Sequence, residues 1–471
     1  MKAAPIYIQR IEVENVKTFA EKVELRLTKP DGTIPKWTLI LGDNGIGKST
    51  LLQLIAWMKP ILPYDAKIPE DFIPAPMIND EENETLEQLV HKSAAGKQTA
   101  TIHAVFVANQ LLNEPAPTQP SLCETTMTIG VNRLGKLDKV SPEFKVFPAS
   151  KPEQQSVFYR SEVEVYAYSA SRQLGHLNLN EPKLLDTIPG FIKEKTELYD
   201  AEEILHTLNY ASFGSKDPED KKKYAVFIDR VKEMLVALLP DFEEIERIEI
   251  NPPKVLNHEP EGGIVISTKH GQKIPFGDFS LGYKTVTSWT IDLAWRLFNK
   301  HHATAANPLL EPAIVLIDEI DLHLHPLWQQ DIMANLSKHF PNIQFIASAH
   351  SPLMVQAAVD SNYAVLKFQD ENVHINNEPE GIDGWRIDQI LTSDLFGLKS
   401  ARGTAYNKLV AQREALLIKP KLTKQEKADL TTLTEKLTEL PTGENRVEMN
   451  DRKLISDLIQ QIKDNNVKLE L

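Results

Sequence analysis

Apolar and polar residues alternate along residues 7–16 (YIQRIEVENV) and 23–27 (VELRL), the two-residue period of strands with one face in water. A turn at Pro30-Asp31-Gly32 leads to an apolar run at 37–41, the pattern of a strand covered on both faces. Residues 51–58 continue at helical spacing until Pro60. From 60 to 90 the chain is rich in proline and acids, which predicts an exposed insertion, and 115–120 predicts another loop. Strands are predicted at 99–107 (TATIHAVFV) and at the end of 156–169, just before Ala170-Ser171-Arg172-Gln173. Helical spacing returns over 198–238, around Ile204, Leu205 and Leu208, then Val226, Ile228, Val231, Met234, Leu235 and Leu238, with a charged connector at 216–223 between the two groups. Residues 245–250 and 263–268 resume strand character. No long heptad run occurs between 50 and 280, so any projecting arm is short. A helix at 280–297, a buried strand at 313–317 (AIVLI), a helix at 327–339, a second buried strand at 344–347 (QFIA) and a helix at 353–359 follow. This alternation predicts an α/β fold, a parallel sheet with helices on both faces, plus an antiparallel β region near the start. Beyond 400 the pattern is helical again, at 409–417, 430–440 and 454–462. That stretch holds 13 Lys and Arg against 11 Asp and Glu and reads as a small helical subdomain, with a packing role and a partner-binding role equally open.

Composition narrows the setting. The 471 residues allow two to four domains, and 42% apolar with 25% charged residues is ordinary for a globular protein. A single cysteine, Cys123, excludes an intramolecular disulfide and fits a reducing cytosol. The start MKAAPIYIQR lacks the apolar core of a signal peptide, and no apolar run is long enough to span a membrane. A cytoplasmic protein with no membrane partner is expected. The net charge of −14 removes any global electrostatic argument for nucleic-acid binding.

Four short segments carry chemistry. After the run at 37–41 come Gly42, Asp43, Asn44, Gly45, Ile46, Gly47, Lys48, Ser49 and Thr50, the P-loop spacing of Gly, four free positions and Gly-Lys-Ser. Glycines let the backbone N–H groups turn inward on an anion, and the next helix adds its positive end. Lys48 is expected on the β- and γ-phosphates of a bound nucleotide, and Ser49 on Mg²⁺. The strand at 313–317 ends in Asp318 and Glu319, a carboxylate to hold Mg²⁺ and one to polarise the attacking water. Ser280 and Gly282 open a helix. Ser280 reads either as an ordinary N-cap or, with Gly282, as a donor set for a γ-phosphate. His350 follows the strand at 344–347, where it reads as a turn histidine or as a contact to the γ-phosphate.

The four segments, in this order, resemble the motifs of ATP-binding-cassette (ABC) ATPase heads in the branch of SMC, RecF, RecN and the overcoming-lysogenization-defect (OLD) ATPases. Residues 42–50 are similar to its Walker A loop, 279–284 to its signature motif, 314–319 to its Walker B strand and His350 to its switch histidine. The stretch DEIDLHLHPLWQ at 318–329 resembles the OLD-like Walker B and D-loop, and IEVENVKTF at 11–19 the first strand and turn. The signature departs from the usual form in reading Ser-Leu-Gly-Tyr. Gln173 is the candidate Q-loop residue, with Arg172 beside it. His323 and His325 belong to the D-loop pattern rather than to a metal pair.

The resemblance implies an ATPase with ATP and Mg²⁺ as cofactors, whose catalytic residues are Glu319 and His350. It implies an ABC head with a helical insertion and a C-terminal helical subdomain. The expected divisions are 1–59 for the N-terminal β region and Walker A, 60–195 for insertion loops and the β region, and 196–240 for the helical insertion. Residues 241–400 form the signature, Walker B and switch-histidine lobe, and 401–471 the helical subdomain. No acidic cluster of a nuclease domain stands after residue 360, so the chain resembles the stand-alone ATPase subunits of Septu and retron anti-phage systems. Those imply a head-to-tail dimer around ATP and a separately encoded partner nuclease of HNH type. The alternative is a RecF- or SMC-like repair ATPase acting on DNA itself, and a transporter ATPase subunit ranks below both.

Overall fold

The structure, a computed structural model, describes residues 4–60, 83–91, 99–118, 120–132, 134–147, 158, 162–177, 179, 187–188, 191, 196–239, 248–251, 263–268, 271–379, 384–398, 400–419 and 421–438. The chain forms two compact units, residues 1–384 and 385–471.

The first unit is built on a six-stranded sheet in the order Asn372–Asn376, Asn362–Gln369, Trp37–Gly42, Ile343–Ser348, Ala313–Ile317, Val165–Tyr168. Five of these strands run parallel, and only the edge strand Asn372–Asn376 is antiparallel. Every residue of Ala313–Ile317 and of Ile343–Ser348 is buried, as a sheet covered on both faces requires. One face, through Ile40, Ile314, Leu316, Ile346 and Ala364, joins a core shared with the helix Lys48–Trp57 and a second sheet. That second sheet is five-stranded and antiparallel, ordered Val23–Arg26, Ile6–Glu14, Thr99–Ala108, Ser121–Val131, Leu137–Phe147. The helix is thus enclosed between two sheets, and Leu51 to Trp57 are all buried. On the opposite face Trp37 stacks on Phe345 at 4.3 Å and its indole N–H donates to Ser337 of the helix Pro326–His339.

Gln344 fastens the two sheets. Its side-chain amide accepts from the Ile8 N–H at 3.0 Å and donates to the Ile8 carbonyl at 2.8 Å, standing in for a strand peptide where the register of Ile6–Glu14 shifts. The helices Ala201–Gly214 and Pro218–Leu238 pack together as a pair, followed by the long helix Leu281–His301. Among the described residues no helix exceeds 21 residues, and none is long and apolar enough to cross a membrane.

The structure departs from the sequence reading in three places. Most of the expected insertion at 60–90 lies outside the described residues, but its end forms the helix Asn83–Leu89, and Leu86, Leu89 and Val90 are buried in the core. The connector at 216–223 is largely helix: Asp217 caps Pro218–Leu238, accepting from Glu219 N at 2.8 Å, and Pro218 sits where its missing N–H costs nothing. The hairpin Ser121–Val131 with Leu137–Phe147 was not foreseen. Its inward positions include Ser121, Cys123 and Thr125, so the alternation is weakly apolar, and Thr125 is satisfied inside by donating to the Met58 carbonyl at 3.1 Å.

The second unit contains the helices Ile387–Thr392, Thr404–Leu417 and Lys424–Thr438, the last two packed on each other. The helix expected at 454–462 lies outside the described residues.

Candidate functional site

The strand Trp37–Gly42 delivers the loop at the carboxyl edge of the parallel sheet, the usual ligand edge of such sheets. Gly42 leaves it with φ +143°, and a Cβ there would lie 2.6 Å from the Leu366 carbonyl oxygen. Gly47 has φ +112°, and a Cβ would meet the Phe19 ring and the Thr18 hydroxyl at 2.7 Å. Both positions therefore need glycine. Lys48 is buried and folds back on the loop, its ammonium donating to the carbonyls of Gly42 at 2.7 Å and Asp43 at 2.9 Å. Burial lowers its pKa, against the opposing pull of Asp318, Glu319, Asp43 and Asp321. Gly47 makes no side-chain cap to the helix Lys48–Trp57, so the first-turn N–H groups point outward without one.

The tips of the neighbouring strands are tied to one another. Asp318 N donates to the Tyr168 carbonyl at 2.8 Å, and Ile320 N to the Ser348 carbonyl at 3.0 Å. The Ser348 hydroxyl donates to Asp318 Oδ1 at 2.6 Å and accepts from Glu319 N at 2.7 Å. Glu319 stands at φ +49°. His350 N donates to Asp321 Oδ2 at 2.9 Å, while Asp321 Oδ1 is buried with no hydrogen-bond partner among the described residues. A cavity of about 320 Å³ lies between loop and tips, lined by Asn44, Gly45, Gly47, Lys48, Ser49, Thr50, Asp318, Glu319, His350, Lys17 and Thr18. The structure thus brings nine expected residues into one cavity, while Gly42, the exposed Asp43 and the buried Ile46 belong to the loop but not to the lining. Lys17 and Thr18 were not foreseen as lining. They belong to the turn of IEVENVKTF, where Lys17 takes φ +44° and the Thr18 hydroxyl donates to the Ile46 carbonyl at 3.2 Å.

Ser280 and Gly282 are not in this lining. Ser280 occupies the N-cap position of Leu281–His301 but makes no side-chain cap bond, and it is exposed, as is Leu281. Gly282 is buried, and glycine is needed there because a Cβ would run into the carbonyl oxygen of His323. The Tyr283 ring meets Trp328 edge-on at 4.1 Å. This helix start is therefore packed against the turn that follows Glu319, with its tip facing outward. His325 caps the helix Pro326–His339, accepting from Leu327 N at 3.3 Å, and no group of three metal-ligating side chains occurs among the described residues.

The long helix is anchored by a buried network. Asp292 accepts from Arg296 Nε at 2.6 Å, from the Tyr168 hydroxyl at 3.0 Å and from Tyr199 N at 3.0 Å. Burial, reinforced by Asp292, pushes the Tyr168 hydroxyl well above its ordinary pKa, so it remains a donor. Tyr199 ends a strand, Thr196–Tyr199, paired in parallel with Arg172–Leu177. Gln173 lies in that pairing, opposite Glu197 and outside the cavity lining, whereas Arg172 reaches the main chain of Asp318.

Residues 155–355 match the family described as "AAA domain, putative AbiEii toxin, Type IV TA system". The chain is similar to "Septu protein PtuA" of Bacillus mycoides, with 25% identity over 98% of this chain and 55% of that protein. It is also similar to "Retron Ec83 probable ATPase" of Escherichia coli (34% identity over 39% of this chain and 33% of that protein) and to "Retron Vc95 probable ATPase" of Vibrio cholerae (44% over 22% and 20%). The chain thus spans about half, or less, of the length of these relatives. Among solved structures, an SMC head bound to the C-winged helix domain of ScpA aligns with a TM-score of 0.41 and 17% identity, over 79% of this chain and 97% of that one.

Proposed function

We propose that this chain is an ATP-hydrolysing head of the ABC type that dimerises around ATP and regulates a separately encoded nuclease in anti-phage defence. One observation carries the reading: a single cavity is lined by the P-loop, both carboxylates and His350, while Ser280 and Gly282 lie outside its lining. ATP phosphates suit the uncapped N–H groups of residues 48–50 and the Lys48 ammonium. Ser49 and Asp318 fit Mg²⁺, which prefers a few oxygen ligands and keeps waters for the rest. Mg²⁺ bound there would neutralise phosphate charge. Glu319 polarises the attacking water, and His350 contacts the γ-phosphate.

Ser280, Gly282 and the outward helix start supply the other half of the site to a second copy, head to tail, giving two composite sites. Hydrolysis then serves as a switch between joined and separated heads. Likeness to Septu and retron proteins supports the reading as a defence ATPase; a separately encoded nuclease of HNH type is part of the proposal.

Glu319→Gln tests the enzyme. Turnover is expected to fall about a hundredfold to ten-thousandfold while ATP binding persists and the ATP-bound mass in solution doubles. Equal turnover in the variant, or a monomer with ATP bound, overturns the reading. Co-expression with adjacent genes followed by mass determination tests the nuclease partner, which fails if no nuclease co-purifies.

A further inference from the structure

Glu319 is held in a backbone conformation that residues with a side chain rarely adopt, at φ +49°. The peptide groups around it are therefore held from outside. The Ser348 hydroxyl takes the Glu319 N–H at 2.7 Å. On the carbonyl side stands Arg172, whose Nη2 donates to the Asp318 carbonyl at 2.6 Å and, at 3.5 Å, to the Glu319 carbonyl. No other charged side chain donates a hydrogen bond to these two carbonyls among the described residues. Among the described residues, Arg172 Nε is buried without a hydrogen-bond partner.

The guanidinium lies within electrostatic reach of Asp318, Glu319, Asp321 and Tyr168. Burial pushes its pKa down to about 10, against the pull of those acids, so it remains a cation at neutral pH. Arg172 is not among the residues that line the cavity and reaches instead the main chain behind it. Its strand is seated in turn: Arg172 pairs with Thr196, and Tyr199, at the end of the same partner strand, donates its N–H to Asp292 of the long helix.

We infer that Arg172 is a positioning residue for ATP hydrolysis, clamping the carbonyls of Asp318 and Glu319 so that the Glu319 carboxylate stays aimed into the cavity. The inference rests on the ATPase reading above. Both bonds leave the single Nη2 at the end of a rigid, planar guanidinium, a reach and orientation that the shorter, flexible lysine ammonium does not reproduce, so charge alone does not substitute for it. Loosening the turn misdirects the base without altering the phosphate cradle of residues 44–50. The effect falls on the chemical step and spares ATP binding.

The test measures steady-state ATP turnover and ATP affinity in the full chain for Arg172→Ala and Arg172→Lys, with thermal melting of each. Both variants are expected to lose kcat by roughly tenfold to a hundredfold, with KM for ATP unchanged within about threefold. Added guanidinium ion is expected to restore part of the kcat of Arg172→Ala and none of that of Glu319→Gln. Should Arg172→Ala fail to fold, Arg172→Lys keeps the charge and most of the volume and carries the same kcat expectation. A variant with wild-type kcat, or one whose loss lies wholly in KM, overturns the proposal. A wild-type chain without turnover removes the ATPase reading and this proposal together, whereas an active wild type with an unaffected Arg172→Lys removes this proposal alone.

Discussion

Among the α-helices of the first unit whose N-cap residue is described, those at Lys48 and Leu281 begin without a side-chain cap, while those at Ala201, Pro218, Pro326 and Pro352 are capped by Asp200, Asp217, His325 and Ser351. The capped starts end their own hydrogen-bonding needs locally. The uncapped ones keep donors and a positive end available. They differ in surroundings. The start at Lys48 opens into a cavity shared with three acidic or histidine side chains, Asp318, Glu319 and His350. The start at Leu281 is locked from behind, by Gly282 on His323 and Tyr283 on Trp328, and carries the exposed Ser280 and Leu281 at its tip. One start opens into a pocket and the other is backed by the fold and points outward. The contrast is what the proposed division of the site between two copies would require of each copy.

The strongest way to break this comparison is a mixing experiment. Lys48→Ala and Ser280→Arg are each expected to abolish turnover. Mixed in equal amounts and allowed to exchange, half of the dimers carry one intact site, so about a quarter of wild-type turnover returns. No recovery means that both starts serve one copy. Next in size is the anchor of the long helix. Asp292→Asn leaves the Arg296 cation buried beside a neutral partner, and a loss of about 3–5 kcal/mol is expected in denaturant unfolding. Gly282→Ala pushes a methyl group into the His323 carbonyl and is expected to cost about 1–3 kcal/mol, read the same way. The finest test separates capped from uncapped starts. Asp217→Ala is expected to cost about 1 kcal/mol with turnover intact. Ser280→Ala is expected to leave stability within about 0.5 kcal/mol while turnover falls roughly a hundredfold. Equal stability losses in the two would show that Ser280 is an ordinary cap.

The legible parts of the molecule were those in which one residue type has one physical use. Fully apolar runs at 37–41, 313–317 and 344–347 became neighbouring strands of a parallel sheet, and the glycine-rich loop after the first became the cavity wall. Positions with two uses were missed. The strand Ser121–Val131 turns Thr125 inward, which alternation reads as a solvent position. Leu86 and Leu89 are core residues set at the end of a proline- and acid-rich stretch that reads as surface. Arg172 works on main-chain carbonyls, and a carbonyl leaves no trace in a sequence. Lys17 and Thr18 reach the cavity only because the first sheet folds its turn over the loop.

The place of Trp37–Gly42 within its sheet has a consequence for how the protein is made. Its two neighbours, Ile343–Ser348 and Asn362–Gln369, are encoded about 300 residues downstream, as is Gln344, which stitches Ile8 to the same sheet. On a ribosome adding roughly 5–20 residues per second, the loop waits on the order of 15–60 s for the strands that give it a shape. A nascent chain halted before Ile343 would hold the whole P-loop, yet have no sheet edge on which to present it.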